Sequence, residues 1–541
     1  MYSSIFKTDQ LLFLLFFTFL ILIWKRIKYE KTIVLFFSIL FSYYIFGPNF
    51  KAKFWLIDDH EIFQFLGSES NPSGWPDFFS VLMDQTEVGL FGISTRYRPA
   101  YYILRLIEVF LWKDNSFLWY MFRFIIIVSF TYSLILLFRI FLTTPVALAW
   151  TFACFSFTYW ADIYSRLGPG ETYVTLGVAI YILTTFNWDK KIRQNLGSVI
   201  LQVLALMIII GSKENMFLMA FLPFFFFSNQ LNEKWKFRYY HALYIIPILF
   251  GFLIVFAVIK AISINPVDVN GNSAQIPERL RKLFALIDNS LISQPLILFV
   301  LLGIVIAVKK SFIRFLMKFW SAIAILLFLI INILLNIVFY SGELPQNNRY
   351  DFPVAVFYNL YFVICLGLII RIIFPKKIMK NRLFFSFVFL VFASFGFSAF
   401  AINEIQNFSR KNSKRTLALH QTIETLKFES KDNLGIIFVR NFTEFEPADS
   451  LLQYAKYYNL QFPFIMDVDD VKYYSQFQDG LMSYLRNLSL QGDITKNLKP
   501  LGNLKKENID HCILFHFGEF SFNPNEKYPF CKEINQRLIV Y

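Results

Sequence analysis

Two adjacent carboxylates, Asp58 and Asp59, stand in the string FWLIDDHEIFQFL directly after an apolar run, with His60 and Glu61 completing DDHE. A charge kept at the edge of hydrocarbon is expensive, so such a group is by default a candidate for chemistry or transport. Four further polar strings interrupt the apolar sequence: RYRP with Arg96 and Arg98, ADIYSRLGPGETY with Asp162, Arg166 and Glu171, GSKEN with Lys213 and Glu214, and NNRYDFP with Arg349, Tyr350 and Asp351. Acids at helix ends can take a proton from a hydroxyl or ligate a metal, and Arg or Lys at the same level can hold a phosphate. The competing reading of each is an interface residue or a structural ion pair.

The elements that must position these groups are membrane helices. A chain of 541 residues with 56% hydrophobic residues, 69 Phe and a mean hydropathy of +0.49 is a polytopic membrane protein, not a soluble one. Its net charge of +14 does not point to nucleic acid. Residues 403–541 hold 17 Lys and Arg against 17 Asp and Glu, which leaves 35 against 21 for the membrane part. Basic residues accumulate there because cytoplasmic loops favour them.

Apolar segments at 11–24, 32–48, 117–141, 146–161, 170–187, 196–211, 215–228, 239–262, 292–308, 319–340, 352–373 and 383–402 predict about twelve helices, several shorter than the roughly 20 residues of a comfortable span. The connections KRIKYEK, NWDKKIRQN, NEKWKFR, KKSFIRFLMK and PKKIMKNR are all basic, and the helix count puts them on one side, the cytoplasm. The first segment reads as an extra membrane helix, with its basic loop spanning 1–31, and the N-terminus falls outside. The five polar strings then share the outer face, and that convergence favours a site.

The first outward loop, 49–115, is much longer than a connector requires, and long loops tend to carry function. Within it, PAYYILRLIEVFLW has Arg105 and Glu108 on one polar stripe, which predicts a helix lying along the interface, as does IPERLRKLFALIDNSL at 276–291. The membrane domain covers 32–402. The tail, 403–541, predicts a small α/β domain with strands at LGIIFVRN, FPFIMDVDD, HCILFHFG and RLIVY and helices near 413–428 and 471–488. Asp467, Asp469 and Asp470 could bind a metal but read better as a solvated loop. Cys512 and Cys531 make a plausible disulfide, whereas a zinc site from His511, Cys512, His516 and Cys531 requires two His that strand alternation puts on opposite faces.

The order and common side of these strings resemble the GT-C glycosyltransferases, polytopic enzymes that include protein O-mannosyltransferases and the aminoarabinose transferases of lipid A. The resemblance covers roughly residues 32–402, carried by Asp58 and Asp59, a second outward acid at Asp162, RYRP, RLGPGETY, SKEN and NNRYDFP. It implies a polyprenyl-phosphate sugar as donor, a protein, lipid or glycan as acceptor, and inversion at the outer face of the bacterial cytoplasmic membrane. Asp58 is expected to be the general base, with Asp59 as its pKa-setting neighbour and Asp162 as a further catalytic acid. Arg349 and Tyr350 match the family's phosphate-contacting Arg-Tyr pair, with Arg96, Arg98 and Lys213 as further cations. His60, Glu61, Arg166, Glu171 and Glu214 are expected to bind substrate or support these groups. A divalent ion serves some relatives. No clean metal-ligand spacing is present here, so metal-independent transfer is expected.

Two other classes compete. A membrane polysaccharide polymerase or ligase should carry its key Arg and His in a large late loop, and here the large loop is early. A lipid-linked sugar flippase should carry charges at mid-helix in paired repeats; no such repeat is visible.

Overall fold

The computed structural model describes residues 7–24, 26, 28–93, 96–189, 195–223, 239–264, 297–305, 312–339, 349–373, 382–440, 442–468 and 509–539. They are mainly helical, with one small sheet near the C-terminus. Long apolar runs become helices because only a helix or a closed barrel satisfies its own backbone in hydrocarbon. Among the described residues, Glu30–Lys51, Ser116–Phe138, Tyr239–Ile264 and Arg349–Ile370 are long and apolar enough to cross a membrane. The count reaches six if two bent pairs each make one span. In one pair Thr144–Cys154 meets Tyr159–Ser165 at 87°, and in the other Leu383–Gly396 meets Ala399–Leu426 at 52°. Thr8–Trp24, Leu196–Ser212 and Ile323–Asn336 are shorter apolar helices. Parts of the expected segments at 215–228 and 292–308 lie outside the described residues, as do the expected helices at 276–291 and 471–488.

The expected helix at 383–402 is broken. Arg382–Gly396 stops, Ser398 caps a new helix by accepting the Ala401 N–H, and that helix runs to Leu426. The membrane part and the tail are thus joined by one helix that passes through residue 403. Its buried polar stripe ties it to the first loop, where Asn412 donates to Asn49 and Thr416 accepts the Lys53 N–H, and to two other helices, where Asn412 donates to Tyr120 and Ser409 meets Ser165.

The first long loop folds into the helices His60–Leu66, Phe78–Asp84 and Pro99–Trp112. The polar stripe of the last one does not lie on an interface. Arg105 and Glu108 are buried, and Glu108 accepts two hydrogen bonds from Arg123, at 2.9 and 2.8 Å, and one from Tyr173 at 2.7 Å. A buried ion pair is tolerated when further hydrogen bonds satisfy it, and here the stripe turns inward because partners wait there.

The tail forms a four-stranded parallel sheet in the order β2-β1-β3-β4, with β1 Leu434–Val439, β2 Phe464–Val468, β3 Ile509–His516 and β4 Cys531–Leu538. The last strand begins six residues earlier than RLIVY predicts, and Cys512 and Cys531 are joined as a disulfide. The two sulfurs are therefore not zinc ligands. The helix Phe445–Tyr457 crosses between β1 and β2 and packs on the first loop. Phe54, Leu56, Phe63 and Leu66 share one core with Leu451, Tyr454, Tyr457 and Ile437, and the Phe63 ring lies 4.5 Å from Tyr454 and 4.8 Å from Tyr457. The first loop and the tail are thus packed as one body.

Candidate functional site

The DDHE segment is a sharp turn between Trp55 and the helix that starts at His60. Asp58 adopts φ +66°, a left-handed conformation that Asp tolerates better than most residues. Its three polar groups are each taken by a different part of the chain. The carbonyl accepts from Arg105 Nη2 at 3.3 Å, the N–H donates to Glu446 Oε1 at 2.9 Å, and Oδ2 accepts from Arg349 Nη1 at 2.6 Å. Gly168 lies under the side chain so closely that a Cβ there would stand 1.8 Å from Asp58 Cβ. Asp58 and the late arginine, 291 residues apart, are thus an ion pair, and both side chains keep some exposure, 24% and 19%.

Asp59 has a different setting. It is fully buried, and its oxygens accept the N–H groups of Trp55 at 2.8 Å and Leu167 at 3.1 Å, which clamps the turn onto the RLGPGETY string. Arg105 continues that clamp by donating to the Leu167 carbonyl at 2.6 Å. Glu61 accepts from the Tyr101 hydroxyl at 2.6 Å and faces Arg105 at 3.8 Å. His60 points the other way, into the tail: its Nδ1 meets Ser450 Oγ at 2.8 Å and its Nε2 lies 3.8 Å from Asp449.

The other expected cations also have acidic partners. Lys213 pairs with Glu171 at 2.8 Å and stands 5.0 Å from the centre of the Tyr350 ring, over which Arg349 also lies, at 5.6 Å. Arg166 pairs with Asp162 at 3.7 Å and is close enough to Asp58 and Glu446 to act on their charge. Arg96 interacts electrostatically with Tyr350 and with the buried Glu214. Arg98 is held by Glu87 through two hydrogen bonds, at 3.2 and 2.7 Å. The DDHE, RLGPGETY, SKEN and NNRYDFP strings therefore meet around Asp58, Arg349 and Tyr350, with Arg96 at the edge and Arg98 committed elsewhere.

Sequence reading missed Glu446, in the first turn of the helix after β1, where it is partly exposed. Its position carried a signal: the carboxyl end of a central parallel strand is where open α/β sheets present functional groups. Asp449, Ser450 and Tyr454 on the same helix were missed too. Ser450 donates to the Leu56 carbonyl, and Tyr454 donates to that of Trp55 at 2.7 Å.

The electrostatics separate the acids. Burial pushes the Asp58 carboxyl up, but the charge and hydrogen bond of Arg349 outweigh it and hold Asp58 well below the ordinary carboxylate range. Burial raises Asp59 to about 7 against the pull of Arg105. Burial and then the like charge of Asp58 raise Glu446 to about 8. Burial also raises Glu61 and Asp449 and lowers His60.

Among the described residues no group of three or more His, Cys, Asp or Glu is placed to hold a metal ion. Asp467 is occupied by the Tyr528 hydroxyl at 2.8 Å and by Lys527 at 3.2 Å, while Asp469 and Asp470 lie outside the described residues. The arrangement can hold an anion at Arg349 and Lys213, and it sets a carboxylate beside that position. Compared with protein-family models, with curated proteins and with solved structures, the chain finds no match.

Proposed function

We propose that the protein is an integral-membrane glycosyltransferase of the GT-C kind, with about twelve spans, acting at the outer face of a bacterial cytoplasmic membrane. It moves a sugar from a polyprenyl-phosphate donor to a hydroxyl acceptor with inversion. The observation that carries this reading is the Asp58–Arg349 ion pair, which joins a base candidate to a phosphate-binding candidate.

In the resting pair Arg349 suppresses the basicity of Asp58. A donor phosphate competes for the guanidinium, helped by Lys213, and Asp58 then regains its affinity for a proton. The base is released only when the donor is in place. The acceptor oxygen attacks the anomeric carbon from the face opposite the phosphate, its proton passes to Asp58, and the carbon–oxygen bond to phosphate breaks with its electron pair on the phosphate. Arg349 stabilises that growing charge. Asp59 and Arg105 hold the turn, a role distinct from proton transfer.

The test is sugar-dependent release of polyprenyl phosphate by the purified protein, with cell-envelope extract as acceptor. Wild type should release it, and Asp58→Asn and Arg349→Gln should each lose at least about a hundredfold, the scale of one general base or one charge-stabilising donor. Absence of turnover with every donor sugar sinks the proposal.

A further inference from the structure

The tail does more than cover the first loop. Glu446 is the one side chain of the C-terminal domain that hydrogen-bonds the Asp58 backbone among the described residues, and it does so at the N–H of a residue held in a left-handed conformation. The domain has no freedom to present this group loosely. Its helix is fixed to the same turn by Ser450 on Leu56, Tyr454 on Trp55 and the His60–Ser450 contact, over a shared aromatic core. Every bond in that set lies within the turn from Trp55 to His60, and Glu446 is its partly exposed member beside the Asp58–Arg349 pair.

We infer that Glu446 is a positioning residue of the site, contributed by the C-terminal domain: by accepting the Asp58 N–H it orients Asp58 toward Arg349, and its carboxyl beside Asp58 makes the charge of the site depend on both acids. The inference deepens the proposed function and rests on that reading for its kinetic part. The surrounding charges assign the two members. Asp58 faces Arg349 directly and stays ionised, while Glu446 takes less from Arg349 and Arg166 and keeps its proton close to neutrality. The other elements packed on this helix contribute His60 and Glu61 from the His60–Leu66 helix and Glu444 from the preceding turn, and β1 contributes no charge. Glu444 is committed to Arg440, Glu61 to Tyr101 and Arg105, and His60 to Ser450 and Asp449. When Glu446 ionises, the site gains a negative charge next to the position proposed for the donor phosphate, and donor binding should weaken.

The experiment uses the full-length protein in lipid nanodiscs, as wild type, Glu446→Gln and Asp58→Asn. Infrared difference spectra between pH 6 and pH 9 should show, beside the Asp59 carboxyl that titrates near 7, a second protonated-carboxyl band that titrates near pH 8 in wild type. That band should be missing in Glu446→Gln and should titrate at lower pH in Asp58→Asn. In the release assay, the wild-type KM for donor should rise about tenfold from pH 7 to pH 9, between the bulk-water and protein-surface limits for one like charge a few ångströms away. In Glu446→Gln, whose amide oxygen still accepts the Asp58 N–H, KM should stay flat. A band unchanged by Glu446→Gln overturns the inference, as does a KM profile that the substitution leaves intact. Failure of every donor to turn over counts against the transferase reading alone, because the infrared titration still decides the carboxylate pair.

Discussion

Gly168→Ala is the sharpest test of the site's geometry, because the residue has no side chain of its own and acts only through the space it leaves for Asp58. The new Cβ would lie 1.8 Å from Asp58 Cβ, 2.8 Å from its Cγ and 3.0 Å from its Cα. Carbon atoms in ordinary contact are about 3.5–4 Å apart, so Asp58 must retreat by roughly 2 Å. Its present contacts are tight: Oδ2 is 2.6 Å from Arg349 and the Asp58 N–H is 2.9 Å from Glu446. A shift of that size lengthens the first contact beyond any hydrogen bond. Overpacking in such a site costs about 1–3 kcal/mol, and a misplacement of about 1 Å in a reacting group can cost a hundredfold in rate. Gly168→Ala should therefore lower the melting temperature by a few degrees and cut donor release by about a hundredfold or more. Gly197→Ala is the control, since its Cβ meets no atom closer than 3.8 Å and it should leave both unchanged or slightly improved. If Gly168→Ala retains half the wild-type rate, the contact between the RLGPGETY string and Asp58 is wrong.

Three further outcomes follow from the same geometry. Arg349→Ala leaves Asp58 without its cation at partial exposure, so stability should fall by about 2 kcal/mol, between a surface pair and a broken buried one, and Asp58→Asn in that background should restore part of it; melting curves of both variants decide this. Glu446 is raised from 4.5 to about 8 in the folded state, so its contribution is full below the ordinary carboxyl pKa and is lost as pH rises through 8. Glu446→Gln should accordingly melt close to wild type at pH 5 and above it at pH 9, and a gap that does not widen with pH contradicts the shift. Replacing Cys512 and Cys531 by Ser opens a loop of 19 residues and should cost the tail about 3 kcal/mol in the chain-entropy picture, seen as earlier proteolysis of the sheet while the membrane helices stay protected.

Much of the fold is legible along the chain because its signals are local. Apolar runs such as 117–141 and 352–373 become helices where they stand, since a helix needs partners only four residues away. The strands at LGIIFVRN, FPFIMDVDD and HCILFHFG announce themselves by β-branched and aromatic runs between turns. The exceptions mark the limits of local signals. The break at 397–398 follows apolar sequence on both sides, and the long helix beyond it is held by the buried contacts of Ser409, Asn412 and Thr416 with distant segments.

By itself, the sequence determined a mainly helical chain with segments apolar enough to cross a membrane, polar strings between them, a small α/β tail and two cysteines able to pair. Only the tertiary structure decided which charges meet. Residue types alone cannot distinguish Asp58 from Asp59, and the difference arises because one faces Arg349 across 291 residues while the other turns into the backbone of Trp55 and Leu167. The inward turn of Arg105 and Glu108 and the arrival of Glu446 at Asp58 were hidden for the same reason. An ionisable group's partner, burial and proton affinity are set by what the fold brings within a few ångströms, and electrostatic energy depends on that distance, not on separation along the chain.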